Sequence, residues 1–328
     1  MLRTAPPNLA QIQEPVLARL DRITDELRRI VLSDFPAIAE INDYLLLARG
    51  KLFRPTLVLL ANEVGGSPSP DAVCVAAAVE LVHLATLVHD DAVDHSVLRR
   101  GMPTVNALWN HQSAIIMGDY LYSRSVSELA RLGRIELIRV LSRAANEMSV
   151  GEMRQLVSYD ALQFTEAEYD RLIACKTASL MSAACEMGAL VGVERYREPL
   201  ARFGHNLGMA FQIVDDLLDY TETEEVTGKP TGHDLREHKV TLPLIAAMTE
   251  MGAAARREVE DFFADPEPTD EGIARVVELV REHGGLAYAR ERALKFGRLA
   301  EESLGPLPAC EATDALRDAV AYVIERRQ

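Results

Sequence analysis

The chain has few aromatic residues, only four cysteines, and far less positive than negative charge. Aromatic residues make up 5% of its 328 residues, whereas hydrophobic residues make up 48%, enough for a sizeable core. The cysteines have no CxxC or zinc-ligand spacing, a pattern typical of free thiols in a reducing compartment. A net charge of −15 argues against the basic surface that binds nucleic acid or anionic membranes.

Two kinds of apolar segment are also missing. No run of about 18 uninterrupted apolar residues occurs, so no membrane-spanning helix is predicted. The first residues, MLRTAPPNLAQIQEP, lack the apolar core of a signal peptide. We therefore expect a cytoplasmic protein that has no nucleic acid among its partners.

The residues that are abundant favour helices, since Ala, Leu, Glu and Arg dominate the chain. The strongest helical patterns cover Asp71 to about Asp94, Ala107 to Leu132 and Tyr196 to Tyr220. No segment shows sustained alternation or an Asn-Gly hairpin signal, and no linker is long enough to divide the chain. The sequence predicts one all-α domain over residues 1–328.

The most informative stretch is a long apolar run that ends in three acids. Residues 80–101 read ELVHLATLVHDDAVDHSVLRRG, with Asp90, Asp91 and Asp94 followed at once by Arg99 and Arg100. On a helix, Asp90 and Asp94 share a face. Clustered carboxylates raise each other's pKa unless a cation lies between them, and oxygen ligands of this kind suit Mg²⁺, which also bridges to substrate phosphates. Taken alone, a solvated acidic helix end explains the stretch equally well.

A second acid cluster repeats the pattern about 125 residues later. In FQIVDDLLD, the acids Asp215, Asp216 and Asp219 have the same spacing, again at the end of an apolar helical pattern. Acids at a helix C-terminus are electrostatically unfavourable, so six of them are best explained if cations occupy the gap between the helices. The repeated spacing therefore favours a metal site over two solvated surfaces.

With both clusters identified, the sequence resembles the trans-polyprenyl diphosphate synthases, which join isopentenyl diphosphate head to tail to an allylic diphosphate. The resemblance runs from Gly50 to about Pro243. It implies an all-α bundle around a deep central cavity, a homodimer, and three Mg²⁺ ions at the cavity mouth. The metal ligands that it implies are Asp90, Asp91, Asp94, Asp215, Asp216 and Asp219.

The resemblance also implies roles for basic and polar residues. The stretch GKLFRP resembles the family's first basic motif, so Lys51 and Arg54, together with His83 and Arg100, would bind isopentenyl diphosphate. Residues 228–234, GKPTGHD, resemble the loop that closes over the metals. Contacts to the allylic diphosphate and its metals are implied for Arg99, Lys176, Thr177, Gln212, Lys229 and Lys239. The implied catalytic residues are Asp90, Asp91, Asp94, Lys176, Asp215, Asp216 and Lys229.

Three residues depart from the family pattern. Leu52 replaces a usual arginine, Arg49 replaces a usual second glycine, and His238 replaces a common glycine before Lys239. None of them is an implied metal ligand. Leu52 lies within the isopentenyl diphosphate motif and Arg49 lies directly before it, so we expect them to affect the affinity for that substrate.

Small residues beneath the first acid cluster bear on product length. Ala85 and Thr86 precede Asp90 by five and four residues, which puts them roughly 6–8 Å below it along a helix. In the family, a bulky aromatic residue there closes the cavity and stops growth at a short chain. Val126 lies where longer-chain members often have phenylalanine. We therefore predict a product longer than farnesyl, of quinone side-chain length.

Other functions remain open from the sequence. A geranylgeranyl or farnesyl diphosphate synthase of the same family differs only in product length. A helical metal phosphohydrolase would use His83, His89 and Asp90 but leaves the second cluster unexplained. A terpene cyclase shares the first motif but usually has an Asn/Ser/Glu pattern in the second. A non-catalytic regulatory subunit typically lacks one acid cluster, and both are intact here.

Overall fold

The computed structural model describes residues 7–47, 50–99, 101–157, 161–221 and 232–325. Across these ranges almost every element is a helix, which confirms the all-α prediction. The helices of the first half are α1 (Leu9–Gln13), α2 (Leu17–Leu20), α3 (Ile23–Ile30), α4 (Pro36–Leu47), α5 (Phe53–Glu63), α6 (Ala72–Val93), α7 (Val105–Leu108), α8 (His111–Arg131) and α9 (Ile135–Val157).

The second half continues in the same way. Its helices are α10 (Glu166–Ile173), α11 (Ser179–Val191), α12 (Arg197–Thr221), α13 (His233–Arg236), α14 (Leu242–Glu250), α15 (Ala253–Ala264), α16 (Asp270–Glu282), α17 (Gly285–Ser303) and α18 (Glu311–Glu325). A π-helical segment, Ala174–Ala178, joins α10 to α11. Short 3₁₀ turns occur at Glu14–Val16, Ala161–Gln163 and Glu194–Tyr196.

A small strand pair interrupts the helices and was not predicted. Strands β1 (Leu98–Arg99) and β2 (Met102–Pro103) are antiparallel, with Leu98 opposite Pro103 and Arg99 opposite Met102. Gly101 lies in the turn at a φ of 75°, a conformation that glycine adopts without a steric penalty. The hairpin follows α6 directly and fixes the position of Arg99.

Helix α6 is the central helix of the bundle. It is capped by Asp71 at its start and by Asp94 at its end, as its apolar pattern predicted. It packs against α3, α5, α8 and α11. By length and composition it is the one helix in the described ranges that could cross a membrane, yet 72% of its apolar window is buried inside the fold. Such burial is typical of a core helix.

One face of α6, which we call its open face, is less buried than the rest of the helix. His83, Thr86, Leu87 and Asp90 recur at helical spacing and are only half-buried, whereas most other residues of α6 are buried. Helix α12 has a similar stripe, formed by the half-buried residues Phe211, Gln212, Asp215 and Asp219. Helix α11 contacts both α6 and α12 and connects the two stripes.

Candidate active site

The first acid motif lies at the C-terminal end of α6, and its three carboxylates have different surroundings. Asp90 is half-buried on the open face, Asp91 is buried, and the capping residue Asp94 is exposed. Burial, followed by the charge of Glu152, raises the pKa of Asp90 to about 6, while Lys176 opposes the shift. A bound cation would relieve this unfavourable charge.

Arg99 holds the buried carboxylate of Asp91. Its Nε lies 2.8 Å from Oδ1 and 2.9 Å from Oδ2 of Asp91, and the β1–β2 hairpin fixes the arginine backbone. Burial still raises the pKa of Asp91, although Arg99 opposes the shift. The contact uses Nε, so the terminal nitrogens of the guanidinium remain for an anionic ligand.

The second acid motif ends α12, and its central residue is buried in a hydrogen-bond chain. Asp216 accepts from Tyr169 Oη at 2.6 Å and from Gln212 Nε2 at 2.8 Å, and Gln212 Oε1 accepts from Thr177 Oγ1 at 2.7 Å. Burial and the neighbouring Asp234 raise the pKa of Asp216 well above its usual range, although the two hydrogen bonds oppose this. The chain fixes both carboxylate oxygens of Asp216.

Asp219 accepts hydrogen bonds from the residues at the start of α13. Its two carboxylate oxygens accept from the backbone amides of His233 at 3.1 Å and Asp234 at 3.0 Å, and its carbonyl accepts from Gly232 at 2.8 Å. These amides open α13, where helical partners are lacking. Asp234 is thereby held close to the motif, and burial with the charge of Asp219 raises its pKa to about 7.

Lys176 lies on the π-helical segment between α10 and α11. Its Nζ is 2.5 Å from Oε1 of Glu152 and donates to Oε1 of Gln155 at 2.8 Å, both on α9. Gly151 permits this approach, because a Cβ there would lie 2.9 Å from Cβ of Cys175. Single π-turns inside helices are frequent at functional sites.

Lys239 is paired with an acidic neighbour. Burial lowers the pKa of Lys239, but its ion pair with Glu237 at 2.6 Å, together with the charges of Asp234 and Asp94, raises it overall. Asp94 belongs to the first motif, and the amide of Asp234 donates to Asp219 of the second. One acid of the first motif and one acid next to the second therefore influence the same lysine.

The acidic residues of the two motifs suit Mg²⁺, because this ion does not require a preformed cage of protein ligands. In the described part of the chain, no three His, Cys, Asp or Glu residues are close enough together to hold an ion by themselves. The acids instead form two separate groups of oxygen donors. Mg²⁺ is usually bound by one or two carboxylates and completed by water and substrate phosphates, which this arrangement allows.

Of the residues predicted for isopentenyl diphosphate, Arg54 lies on α5 and His83 lies on α6, and these two helices pack together. Lys51 is exposed just before α5, and its carbonyl accepts from Gln13 Nε2 at 3.0 Å. Arg54 and His83 are half-buried. Leu52 has a φ of 49°, a left-handed conformation that is uncommon for a bulky side chain. The departure at Leu52 therefore coincides with a strained backbone.

The predicted chain-length residues lie on α6 and α8. Ala85 is buried with 3% exposure, whereas Thr86 and Val126 are half-buried. The hydroxyl of Thr86 donates to the carbonyl of His83 at 2.8 Å. Thr86 therefore adds no unpaired polar group to an apolar lining.

The comparisons with known proteins agree with this geometry. The family model described as "Polyprenyl synthetase" matches residues 35–280. The chain belongs to this polyprenyl synthetase family. It is 37% identical to an all-trans-nonaprenyl-diphosphate synthase (geranyl-diphosphate specific) of Rhodobacter capsulatus, covering 91% of this chain and 92% of that protein. It is 34% identical to a short chain isoprenyl diphosphate synthase of Methanothermobacter thermautotrophicus, covering 95% and 98%.

A solved structure extends the likeness to almost the whole fold. The polyprenyl synthase of Caulobacter crescentus, complexed with calcium and isoprenyl diphosphate, superposes with a TM-score of 0.92 at 31% identity, covering 99% of both chains. The predicted all-α fold of the polyprenyl synthetase family is thus confirmed. Family membership also confirms the prediction of a trans-prenyltransferase.

Sequence reasoning assigned no site role to Glu152 and Gln155, which contact Lys176, or to Tyr169, which contacts Asp216. Asp234 was expected in the loop that closes over the metals, but its contact with Asp219 was not. The spacing of Glu152 and Gln155 on one helix was an available signal. Asp234 ends the GKPTGHD stretch. Nothing local distinguished Tyr169.

Some predicted residues lie outside the described ranges. These are Arg100, Lys229, Arg49 and positions 228–231 of the loop.

A cavity of about 660 Å³ lies elsewhere, between α9, α11 and α12, and none of its lining residues was predicted. There Glu186 accepts from Arg143 at 2.6 Å and from Arg197 at 2.8 Å, so its charge is already paired.

Proposed function

We propose that this chain condenses isopentenyl diphosphate with an allylic diphosphate to make an all-trans polyprenyl diphosphate longer than farnesyl. The observation that supports this most strongly is the pair of acid motifs with identical spacing at the ends of α6 and α12. Family membership sets the reaction class. The product would have the length of a quinone side chain.

The allylic diphosphate would bind between the two motifs. Arg99, Lys176 and Lys239 provide positive charge there, and each is held by an acidic neighbour, Asp91, Glu152 or Glu237. Preorganised cations stabilise the negative charge that develops as diphosphate leaves. Lys229 and the hydrogen-bonded pair Thr177 and Gln212 would complete the site.

Magnesium is the metal that we propose, with three ions per site. Oxygen donors would come from Asp90, Asp94, Asp215, Asp219 and Asp234. Asp91 would instead hold Arg99, and Asp216 would accept a hydrogen bond from Tyr169. When bound, Mg²⁺ would neutralise the diphosphate as it departs. This division revises the equal ligand roles that the resemblance implied for all six motif acids.

Isopentenyl diphosphate would bind beside α5 and α6. Lys51, Arg54, His83 and Arg100 would hold its diphosphate and direct its double bond toward the allylic carbon. Positioning two reactants in this way can reduce a barrier by about 7–11 kcal/mol. The departing diphosphate would take the proton that the condensation releases, as the family resemblance implies.

Product length would depend on the face of α6 below Asp90. Ala85 and Thr86 are small, so the hydrocarbon chain can extend past them. Thr86 lies on the half-buried stripe, where a growing chain would contact it. A geranylgeranyl or farnesyl product is the alternative within the family. One relative is a short chain isoprenyl diphosphate synthase, so this alternative requires a direct test.

We also propose one domain over residues 1–328, a cytoplasmic location and a homodimer.

Exposed apolar side chains follow the first acid motif: Val97, Leu98, Leu108, Ile115 and Ile116. His95 and His111 stack at 5.5 Å, which joins the segment after α6 to the start of α8. Exposed apolar side chains in this number support an interface between subunits.

An assay with purified protein separates the proposal from other functions. Labelled isopentenyl diphosphate, an allylic diphosphate and Mg²⁺ should yield a labelled, longer diphosphate, and EDTA should abolish it. Asp90→Asn combined with Asp215→Asn is the matched inactive control. Phosphate release from nucleotides without condensation would indicate a phosphohydrolase. Inactivity with retained binding of a bisphosphonate would indicate a regulatory subunit.

A further inference from the structure

His238 has an unusual backbone beside a residue of the proposed site. It lies between α13 and α14 with a φ of 52°, in the left-handed region that histidine occupies only occasionally. Its amide donates to the carbonyl of Leu235 at 3.0 Å, and the next amide, that of Lys239, donates to the carbonyl of Asp234 at 2.8 Å. The strained residue therefore closes the turn between Asp234 and Lys239.

The ring of His238 contacts two aromatic side chains of α15. Its centroid lies 5.5 Å from that of Phe263, nearly edge to face, and 6.1 Å from that of Phe262. The two phenylalanines are themselves 5.4 Å apart. Phe262 belongs to a core cluster that also includes Leu235. The ring thus connects the turn to the core between α13, α15 and α16.

This arrangement is unfavourable in two respects. The left-handed backbone is strained, and the buried Nε2 has no hydrogen-bond partner among the described residues. A glycine would remove both costs at once. Backbone strain and unpaired polar atoms persist only where the surrounding structure enforces them, and they are frequent at functional sites.

We propose that His238 is a positioning residue that fixes the direction of Lys239 through its ring contacts with Phe262 and Phe263. The inference rests on the proposed function, because the contact of Lys239 with the allylic diphosphate belongs to it. The ring prevents the turn from relaxing, so that the ammonium keeps its ion pair with Glu237 at 2.6 Å. A glycine at this position would adopt the left-handed backbone without strain, but it would not fix the orientation of the turn.

Two substitutions separate positioning from simple strain. His238→Gly removes the strain and the ring, and His238→Phe keeps an aromatic ring without the unpaired nitrogen. For the glycine variant, we expect an unfolding midpoint no lower than that of the wild type and a KM for the allylic diphosphate about tenfold higher. The KM for isopentenyl diphosphate should change less than about twofold, as expected for a local effect. The phenylalanine variant should recover the wild-type KM.

A double-mutant cycle tests the ring contact itself. Phe263→Leu should raise the same KM, and the double variant with His238→Gly should be no worse than the worse single variant. Additive effects would overturn the proposal. It would also be overturned by an unchanged KM in His238→Gly, or by a phenylalanine variant as impaired as the glycine variant.

A binding measurement keeps this inference distinct from the proposed function. If the wild-type protein shows no condensation, the proposed function fails. Calorimetry with inorganic diphosphate and Mg²⁺ then tests His238 without turnover. Weaker binding by His238→Gly, restored in His238→Phe, supports the positioning role, and equal binding by all three proteins overturns it.

Discussion

Arg99 donates from Nε to both carboxylate oxygens of Asp91, at 2.8 and 2.9 Å. The neighbouring Asp90 instead faces the open side of α6, where burial and Glu152 raise its pKa to about 6. Two adjacent aspartates of one motif therefore have different surroundings. Asp91 holds a cation of the protein, and Asp90 is available to a metal ion.

Substitution of these two aspartates should have different kinetic effects. Asp90→Asn should raise the Mg²⁺ concentration required for half-maximal activity and lower kcat by about 10² or more. Asp91→Asn should release Arg99 and raise the KM for the allylic diphosphate by about 10-fold to 100-fold. Steady-state kinetics over a Mg²⁺ series would measure both. An identical rise in Mg²⁺ requirement for the two variants would contradict the division of roles.

Tyr169→Phe should weaken metal binding at the second motif. The substitution removes the 2.6 Å hydrogen bond to Asp216 and leaves that buried carboxylate less fixed. We expect an affinity for Mg²⁺ with a bisphosphonate about 10-fold to 100-fold lower by calorimetry. Tyr288→Phe is the matched control, because it loses only the hydrogen bonds from Tyr288 to the two carboxylate oxygens of Glu166, at 3.0 and 2.8 Å. Equal affinities in the two variants would refute the role of Tyr169.

The raised pKa values of Asp90 and Asp234 predict that metal-free protein loses stability as the pH rises. Their folded pKa values, about 6 and about 7, exceed the ordinary value of 3.8, so the folded state binds protons more tightly. Their contribution is complete below about pH 4, is lost progressively as the pH rises, and is gone above about 6 for Asp90 and about 7 for Asp234. Asp234→Asn should flatten this decline in the unfolding midpoint between about pH 4 and 7. An unchanged slope would contradict the assignment.

Ionised carboxylates bind metal, so Mg²⁺ with a bisphosphonate should stabilise the protein more at pH 8 than at pH 6. Asp119→Asn changes an exposed acid outside both motifs. As a control, it should show the same difference between the two pH values as the wild type. Thermal unfolding at the two pH values would measure the difference. Equal stabilisation of the wild type at both pH values would contradict competition between protons and metal.

Thr86→Phe should shorten the product, because the ring would enter the open side of α6. Ala85→Phe should do the same, but Ala85 is 3% exposed, so overpacking should also cost roughly 1–3 kcal/mol of stability. Val126→Phe tests a lower position on α8. Chromatographic sizing of the dephosphorylated products would reveal each effect. Unchanged product length in both α6 variants would refute the argument about the cavity floor.

Ile116→Glu should convert a dimer to a monomer, since it places a charge on the exposed apolar surface that includes Leu108 and Ile115. Leu17→Glu is the matched control, an exposed leucine on α2. Sedimentation velocity would measure the assembly state. Dimers of unchanged stability in the Ile116 variant would show that this surface is not the interface.

The sequence predicted best the elements whose apolar residues are continuous. Helix α6 was expected from Asp71 to about Asp94, and these two residues cap it. The predicted helix from Ala107 to Leu132 is instead interrupted at Trp109 and Asn110. There the side chain of Asn110 accepts from the amide of Ser113 and starts α8 anew.

The contacts within the site were harder to predict than its acids. Repeated spacing identified Asp90 and Asp215, because both motifs end apolar helices. The bond from Tyr169 to Asp216 joins residues 47 positions apart, so it depends on how α10 packs against α12. The approach of Glu152 to Lys176 depends on the π-helical segment, which no periodicity indicates.

We propose that the chain makes an isoprenoid diphosphate longer than farnesyl. Incubating the pure protein with farnesyl diphosphate, labelled isopentenyl diphosphate and Mg²⁺, and then sizing the products, measures this length. We expect labelled all-trans products well beyond farnesyl and geranylgeranyl length. No labelled product, or a ceiling at geranylgeranyl, would contradict it.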